Sequence, residues 1–207
     1  MDSPAAPSRR EIASALTREH IVATARDMLL TKGYVATTIE AIATQAGVAI
    51  QTIYNSVGNK PALLSAVLDA AVSGPNAPAT VPEFMRERTA RTTDFPAMVG
   101  VLADWFAEGL PRSRAIFAAI SQAAAVDPSA AELRDSRARQ RLLHYREAAQ
   151  ALRQRGGLRN GMSDDDAAAV IFTIGHPDNY ATMTETFGWS ITRYRDWIFA
   201  ALSNALA

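Results

Sequence analysis

The chain has 207 residues, a formal net charge of zero and no cysteine. That length holds one large domain or a small domain joined to a larger one, and with 48% hydrophobic residues a sizeable core is within reach. The lack of cysteine excludes disulfides and thiolate metal sites. A neutral balance is not the global signature of a nucleic-acid binder, although a local basic surface would suffice for one. No apolar run resembles a signal peptide or a membrane span, so a cytoplasmic protein with no membrane partner is expected.

Residues 1–15, with Pro4, Pro7 and the pair Arg9–Arg10, read as a flexible basic tail. A first helix is expected from Thr17 to Lys32, because Ile21, Val22, Ala25, Met28 and Leu29 are helix-periodic and Gly33 supplies a stop. The next stretch, Thr37 to Leu64, is the most informative. Ile39, Ile42, Ala43 and Ala46 form one apolar face of a short helix, with Thr38 placed to cap it and Gly47 to end it. Val48, Ile53 and Val57 restart the apolar pattern, while Gln51, Thr52 and Asn55 present short polar groups on another face. Helix, glycine turn and short polar-faced helix is the helix-turn-helix plan, whose second helix enters the DNA major groove. A fourth helix opens near Lys60, with Pro61 in its first turn.

Ser73 to Thr80 read as a connector rich in glycine and proline. Beyond it the pattern is helical. Starts are expected near Pro82 and near Phe95 or Pro96, the latter helix running to about Leu110. Further helices are expected from roughly Arg114 to Val126 and from about Ala130 to Arg155. Ser163 followed by Asp164, Asp165 and Asp166 is a cap with carboxylates at the positive end of the dipole. A break is expected at His176–Pro177, then a helical piece to Phe187 and a last helix from Ser190 to Leu206. No stretch alternates as a strand, so the class is all-α.

Thr38, Ile42–Ala43, Ala46–Gly47–Val48, Tyr54, Val57 and Lys60, preceded by Lys32–Gly33–Tyr34, give the chain its resemblance to TetR-type transcriptional repressors of bacteria. The likeness covers about the first third of the chain. It departs from the family pattern at Ala49, where a capping Ser or Thr is common, at Ile50, at Gln51 and at Val57. The resemblance implies residues 16–60 as a DNA-binding domain and 61–207 as a helical domain for ligand binding and dimerisation. It further implies a homodimer on double-stranded, palindromic operator DNA, released by a small lipophilic effector.

Candidate residues follow. Tyr54 and Lys60 suit phosphate, the lysine lying beside a helix N-terminus; packing or plain solvation is the alternative. Thr38 can cap its helix and touch phosphate as well. Gln51 and Asn55 are the candidate base readers, and Thr52 shares their face. Ile50 either packs inward with Ile53 or meets a thymine methyl. Trp105, Phe106, Phe117 and Tyr145 are the candidate ligand lining, among residues that are otherwise core. The arginine run Arg134, Arg137, Arg139, Arg141 and Arg146 reads as a solvated face paired with Glu132, Asp135 and Glu147. Phe172, Trp189, Tyr194, Trp197, Ile198 and Leu202 are expected to form a dimer interface through the last two helices. No cofactor or metal is expected. A small helical enzyme, or a helical adaptor that does not bind DNA, is the competing reading. It lacks a phosphate-cradling loop and metal-ligand spacing.

Overall fold

The structure, a computed structural model, describes residues 8–74 and 81–207, without the side chains of 81–84. Residues 1–7 of the expected tail, 75–80 of the expected connector and the side chain of Phe84 lie outside that description. Among the described residues there are ten α-helices, one π-helical turn and no strand. In chain order the helices are α1 (Arg9–Ala36), α2 (Ile39–Ala46), α3 (Ile50–Ser56), α4 (Lys60–Ser73), α5 (Val81–Ala90) and α6 (Phe95–Ala123). They continue as α7 (Pro128–Gln154), α8 (Asp164–Ile174), α9 (Pro177–Ala181), the π turn Thr182–Thr186, and α10 (Ile191–Leu206).

Two expected boundaries move. The first helix starts at Arg9 rather than Thr17, so residues 9–15 are helical instead of tail. A capping box explains it: Ser8 Oγ accepts from the Glu11 N–H at 3.3 Å, and the Glu11 carboxylate accepts from the Ser8 N–H at 2.7 Å. Ile12 and Leu16 stay exposed there, so local capping and not burial extends the helix. The second change is at Pro111. A break was expected after Leu110, yet α6 runs through the proline. Leu110, Ser113 and Ile116 are all buried, and Ser113 Oγ donates to the Gly109 carbonyl at 2.8 Å. Tertiary burial outweighs the local cost of an interior proline, about 3 kcal/mol in an isolated helix.

The chain forms two compact units. One comprises the residues up to Ala70 together with Ala118–Leu133; the other comprises Ala71–Phe117 and Arg134–Ala207. In the first, α1, α2 and α3 pack on one another around Ile21, Leu29, Ile42 and Ile53, all nearly or wholly buried. In the second, α6, α7, α8 and α10 bury Met98, Leu102, Phe106, Leu152, Ile171, Tyr194, Ile198 and Leu202. Here Arg112 donates to the carbonyls of Ala71 and Val72 and so caps the end of α4. The stripe Tyr194, Ile198, Leu202, expected at a subunit interface, is completely buried within this single chain. It is core because α10 turns that face toward α8.

Candidate nucleic-acid interface and the aromatic cluster

The helix-turn-helix is built by its termini. Thr38 accepts from the Ala41 N–H at 3.1 Å and caps α2. Gly47 ends α2 in the left-handed region at φ 66°, which a Cβ would strain. Ala49 precedes α3 with no side-chain cap. Burial of Ile53 on one side of α3 sets the orientation of the rest. Gln51, Tyr54 and Asn55 are exposed, Thr52 is half-buried, and Ile50 is 43% exposed, so Ile50 does not pack inward with Ile53. Gln51 Nε2 donates to Asn55 Oδ1 at 2.9 Å, one helical turn apart.

Lys60 is neither free nor simply solvated. Its ammonium donates to the Tyr34 carbonyl at 2.8 Å and lies 3.6 Å from the centre of the Tyr34 ring. Burial lowers its pKa, partly countered by the Asp127 carboxylate. The Tyr34 hydroxyl donates to Asp127. Desolvation, then this bond, pushes the phenol up to about 12. Asp127 also accepts from the N–H and hydroxyl of Ser129 at the start of α7. Those bonds, that from Tyr34 first, hold its carboxyl down at about 2. Asn59 opens α4 by accepting from the Ala62 N–H at 3.0 Å, leaving Lys60 at a capped helix start. Nothing in the spacing of the sequence pointed to the Tyr34–Asp127 pair, since 93 residues separate them.

The candidate ligand residues separate. Trp105 and Phe106 are core, 9% and 2% exposed. Phe106 is pressed so close to Gly175 that a Cβ there would fall 2.1 Å from its ring. Its ring meets Tyr145 edge-on at 5.9 Å, and Tyr145 meets Phe172 at 6.2 Å. Phe117 joins this group through Arg141, whose guanidinium sits 4.6 Å from the Phe117 ring centre and 5.0 Å from that of Phe172. Arg141 therefore leaves the solvated face expected for the arginine run. Arg134 pairs with Asp135 at 2.8 Å and Arg146 with Asp165 at 3.0 Å, while Arg137 bonds Gln140. His176 caps α9, Nδ1 accepting from the Asp178 N–H at 3.2 Å. Asp166 completes a capping box with Ser163 at the start of α8. Arg141, Phe172, His176 and Tyr194 belong to the cluster and were not among the ligand candidates. In the sequence, four-residue steps join Arg141 to Tyr145 and Phe172 to His176, and nothing joins those two pairs to each other or to Tyr194.

Residues 21–67 match the family model of bacterial regulatory proteins, tetR family. None of the curated proteins matches the chain in sequence. Among solved structures, native NalD, the secondary repressor of the MexAB-OprM multidrug efflux pump in Pseudomonas aeruginosa, is 19% identical with a TM-score of 0.72, covering 94% of this chain and 98% of that one. A Mesorhizobium loti chain assigned to the TetR-family transcriptional regulators is 21% identical with a TM-score of 0.67, covering 96% of each. SmeT in complex with triclosan is 23% identical with a TM-score of 0.66, covering 90% and 91%. These structural likenesses are ones of fold. The family match over 21–67 falls on a capped helix-turn-helix with a polar exposed face, so this segment is similar to the DNA-binding part of tetR-family regulators.

Proposed function

We propose that the protein is a ligand-responsive repressor that binds a palindromic operator as a homodimer and leaves it when a small lipophilic molecule binds. The observation that carries the DNA reading is α3. Ile53 anchors it, and Ile50, Gln51, Thr52, Tyr54 and Asn55 face outward or lie at the rim. In this reading Gln51 and Asn55 address base edges, Ile50 a thymine methyl, and Thr38, Thr52, Tyr54 and Lys60 the backbone. Residues 16–60 read DNA, and 61–207 hold the effector and the partner subunit. The ligand residues Trp105, Phe106, Phe117 and Tyr145 belong to the second part. Two relatives in fold support the effector reading by their descriptions, one a repressor of an efflux pump and one a complex with triclosan.

The dimer is assigned to the last helices on a surface other than the buried stripe. Phe187 is 61% exposed and Ile191 42%, beside the part-buried Trp189 and Trp197. Such a ledge is apolar surface awaiting a partner. Two copies related by a two-fold axis would present the α3 helices to half-sites about one DNA turn apart. The test is fluorescence anisotropy with duplexes from upstream of the protein's own gene and its neighbour. A salt-sensitive preference for one such duplex over random DNA is expected. Equal affinity for all duplexes would remove the repressor reading.

A further inference from the structure

We propose that Arg141 is the anion receptor of the effector site, so that the molecule sensed is an amphipathic organic anion: a flat apolar body carrying one carboxylate or sulfonate. This rests on the reading of residues 61–207 as effector-binding, and adds the chemical class. Arg141 Nε is buried and has no hydrogen-bond partner. No ion pair or hydrogen bond is made by this guanidinium among the described residues, whereas Arg134, Arg146 and Arg153 on the same helix all pair with carboxylates. Asp178 is the carboxylate whose charge acts on Arg141, but its side chain is exposed and forms no ion pair with it. Arg141 is half-buried with its Nε fully covered, and a guanidinium so placed without a paired carboxylate is costly; desolvation lowers its pKa accordingly. The rings of Phe117 and Phe172 offset part of this by stacking. Contact with ring faces leaves the N–H donors of the guanidinium without an acceptor, and a planar fork of such donors fits a carboxylate or sulfonate.

The surroundings agree. The other buried side-chain polar atom without a partner among the described residues is the hydroxyl of Tyr194. Tyr145 links the two, one turn from Arg141 on α7 and within electrostatic reach of Tyr194. Its own hydroxyl makes no hydrogen bond among the described residues, and desolvation pushes it up to about 12. His176 uses Nδ1 as an acceptor, which puts the proton of the neutral ring on Nε2, a further donor. Donors without acceptors, set among aromatic rings, select an anion with an apolar body. Arg141 already lies over the rings of Phe117 and Phe172, and its charge opposes entry of an external cation beside it.

The test uses two fluorescent probes with the same hydrocarbon body, anionic anilinonaphthalene sulfonate and neutral phenylnaphthylamine, titrated into the full-length protein. The sulfonate should bind the wild type about tenfold or more tightly than the neutral amine, as expected for a buried charge-assisted contact. Arg141→Met should lose that preference and keep its affinity for the neutral probe. Arg141→Lys keeps the charge without the planar fork and should retain a weakened preference. Should Arg141→Met fail to melt cooperatively, the wild-type preference and Arg141→Lys decide. Equal binding of both probes to the wild type, unchanged sulfonate binding in Arg141→Met, or equal loss of both probes would each overturn the proposal. So would dissociation of the dimer in Arg141→Met with sulfonate affinity intact, which would assign the guanidinium to a subunit contact. Anisotropy with the upstream duplex is run in parallel. Specific DNA binding without an anion preference defeats this inference alone, and absent DNA specificity defeats the repressor reading.

Discussion

Lys60 holds the Tyr34 carbonyl and covers its ring, and two of its three N–H donors remain for a phosphate. Lys60→Ala is therefore expected to act twice. Binding to every duplex should weaken, with the salt slope reduced by about one, and folding stability should fall by about 1 kcal/mol. Anisotropy over a salt series and a denaturant melt read the two effects separately. Asn55 and Gln51 bond each other in the free protein, and the proposed base reading requires both to exchange that bond for base edges. The bond is exposed, so exchanging it costs little. Asn55→Ala should weaken the cognate operator by roughly 1–3 kcal/mol more than random DNA, and equal losses on both would refute base reading. The Tyr34–Asp127 pair predicts a pH signature. The Asp127 carboxyl lies at about 2, against a reference of 3.8, chiefly because Tyr34 donates to it. A depressed carboxyl stabilises the fold fully above pH 3.8 and loses that contribution as pH falls toward about 2. Tyr34→Phe should lower the melting temperature at neutral pH, and the gap to wild type should narrow over that acid window.

At the scale of elements, α3 is too short to be stable alone; it holds its place because Ile53 is buried against α1 and α2. Its missing cap at Ala49 is tolerated for the same reason. In α10 the stripe is buried, and the opposite side is the one proposed for the dimer contact. Ile191 stands in the first turn of α10, after the Ser190 cap, and is 42% exposed. A carboxylate there suits the helix dipole, so Ile191→Glu should fold at least as well as wild type. It should nevertheless weaken the dimer, and sedimentation velocity at micromolar concentration should show a shift toward monomer. An unchanged dimer would place the interface elsewhere.

For the whole molecule, control is a matter of free-energy coupling. An effector lowers operator affinity only if it binds the DNA-competent arrangement less well than the other. Reciprocity then requires operator DNA to weaken effector binding by the same factor, typically 5–150-fold for a coupling of about 1–3 kcal/mol. Titrating an effector with and without operator duplex measures this directly. Equal effector affinity in both titrations would leave a binding protein without a switch.

Residues in contact along the chain were legible from the sequence alone. Ser163 with Asp166, Thr38 with Ala41, Gly47 after Ala46 and Pro177 after His176 all act within one helical turn, where spacing dictates geometry. The helical class and the helix-turn-helix follow from the same short-range periodicity. Tertiary structure decided what needs partners far apart in sequence. The passage of α6 through Pro111 depends on burial of both its halves, and the Tyr194–Ile198–Leu202 stripe becomes core because α8 lies against it. Arg141 is the sharpest instance. Five arginines in a row of helical turns look alike in one dimension, and only the approach of Phe117 and Phe172 singles one of them out for contact with aromatic rings.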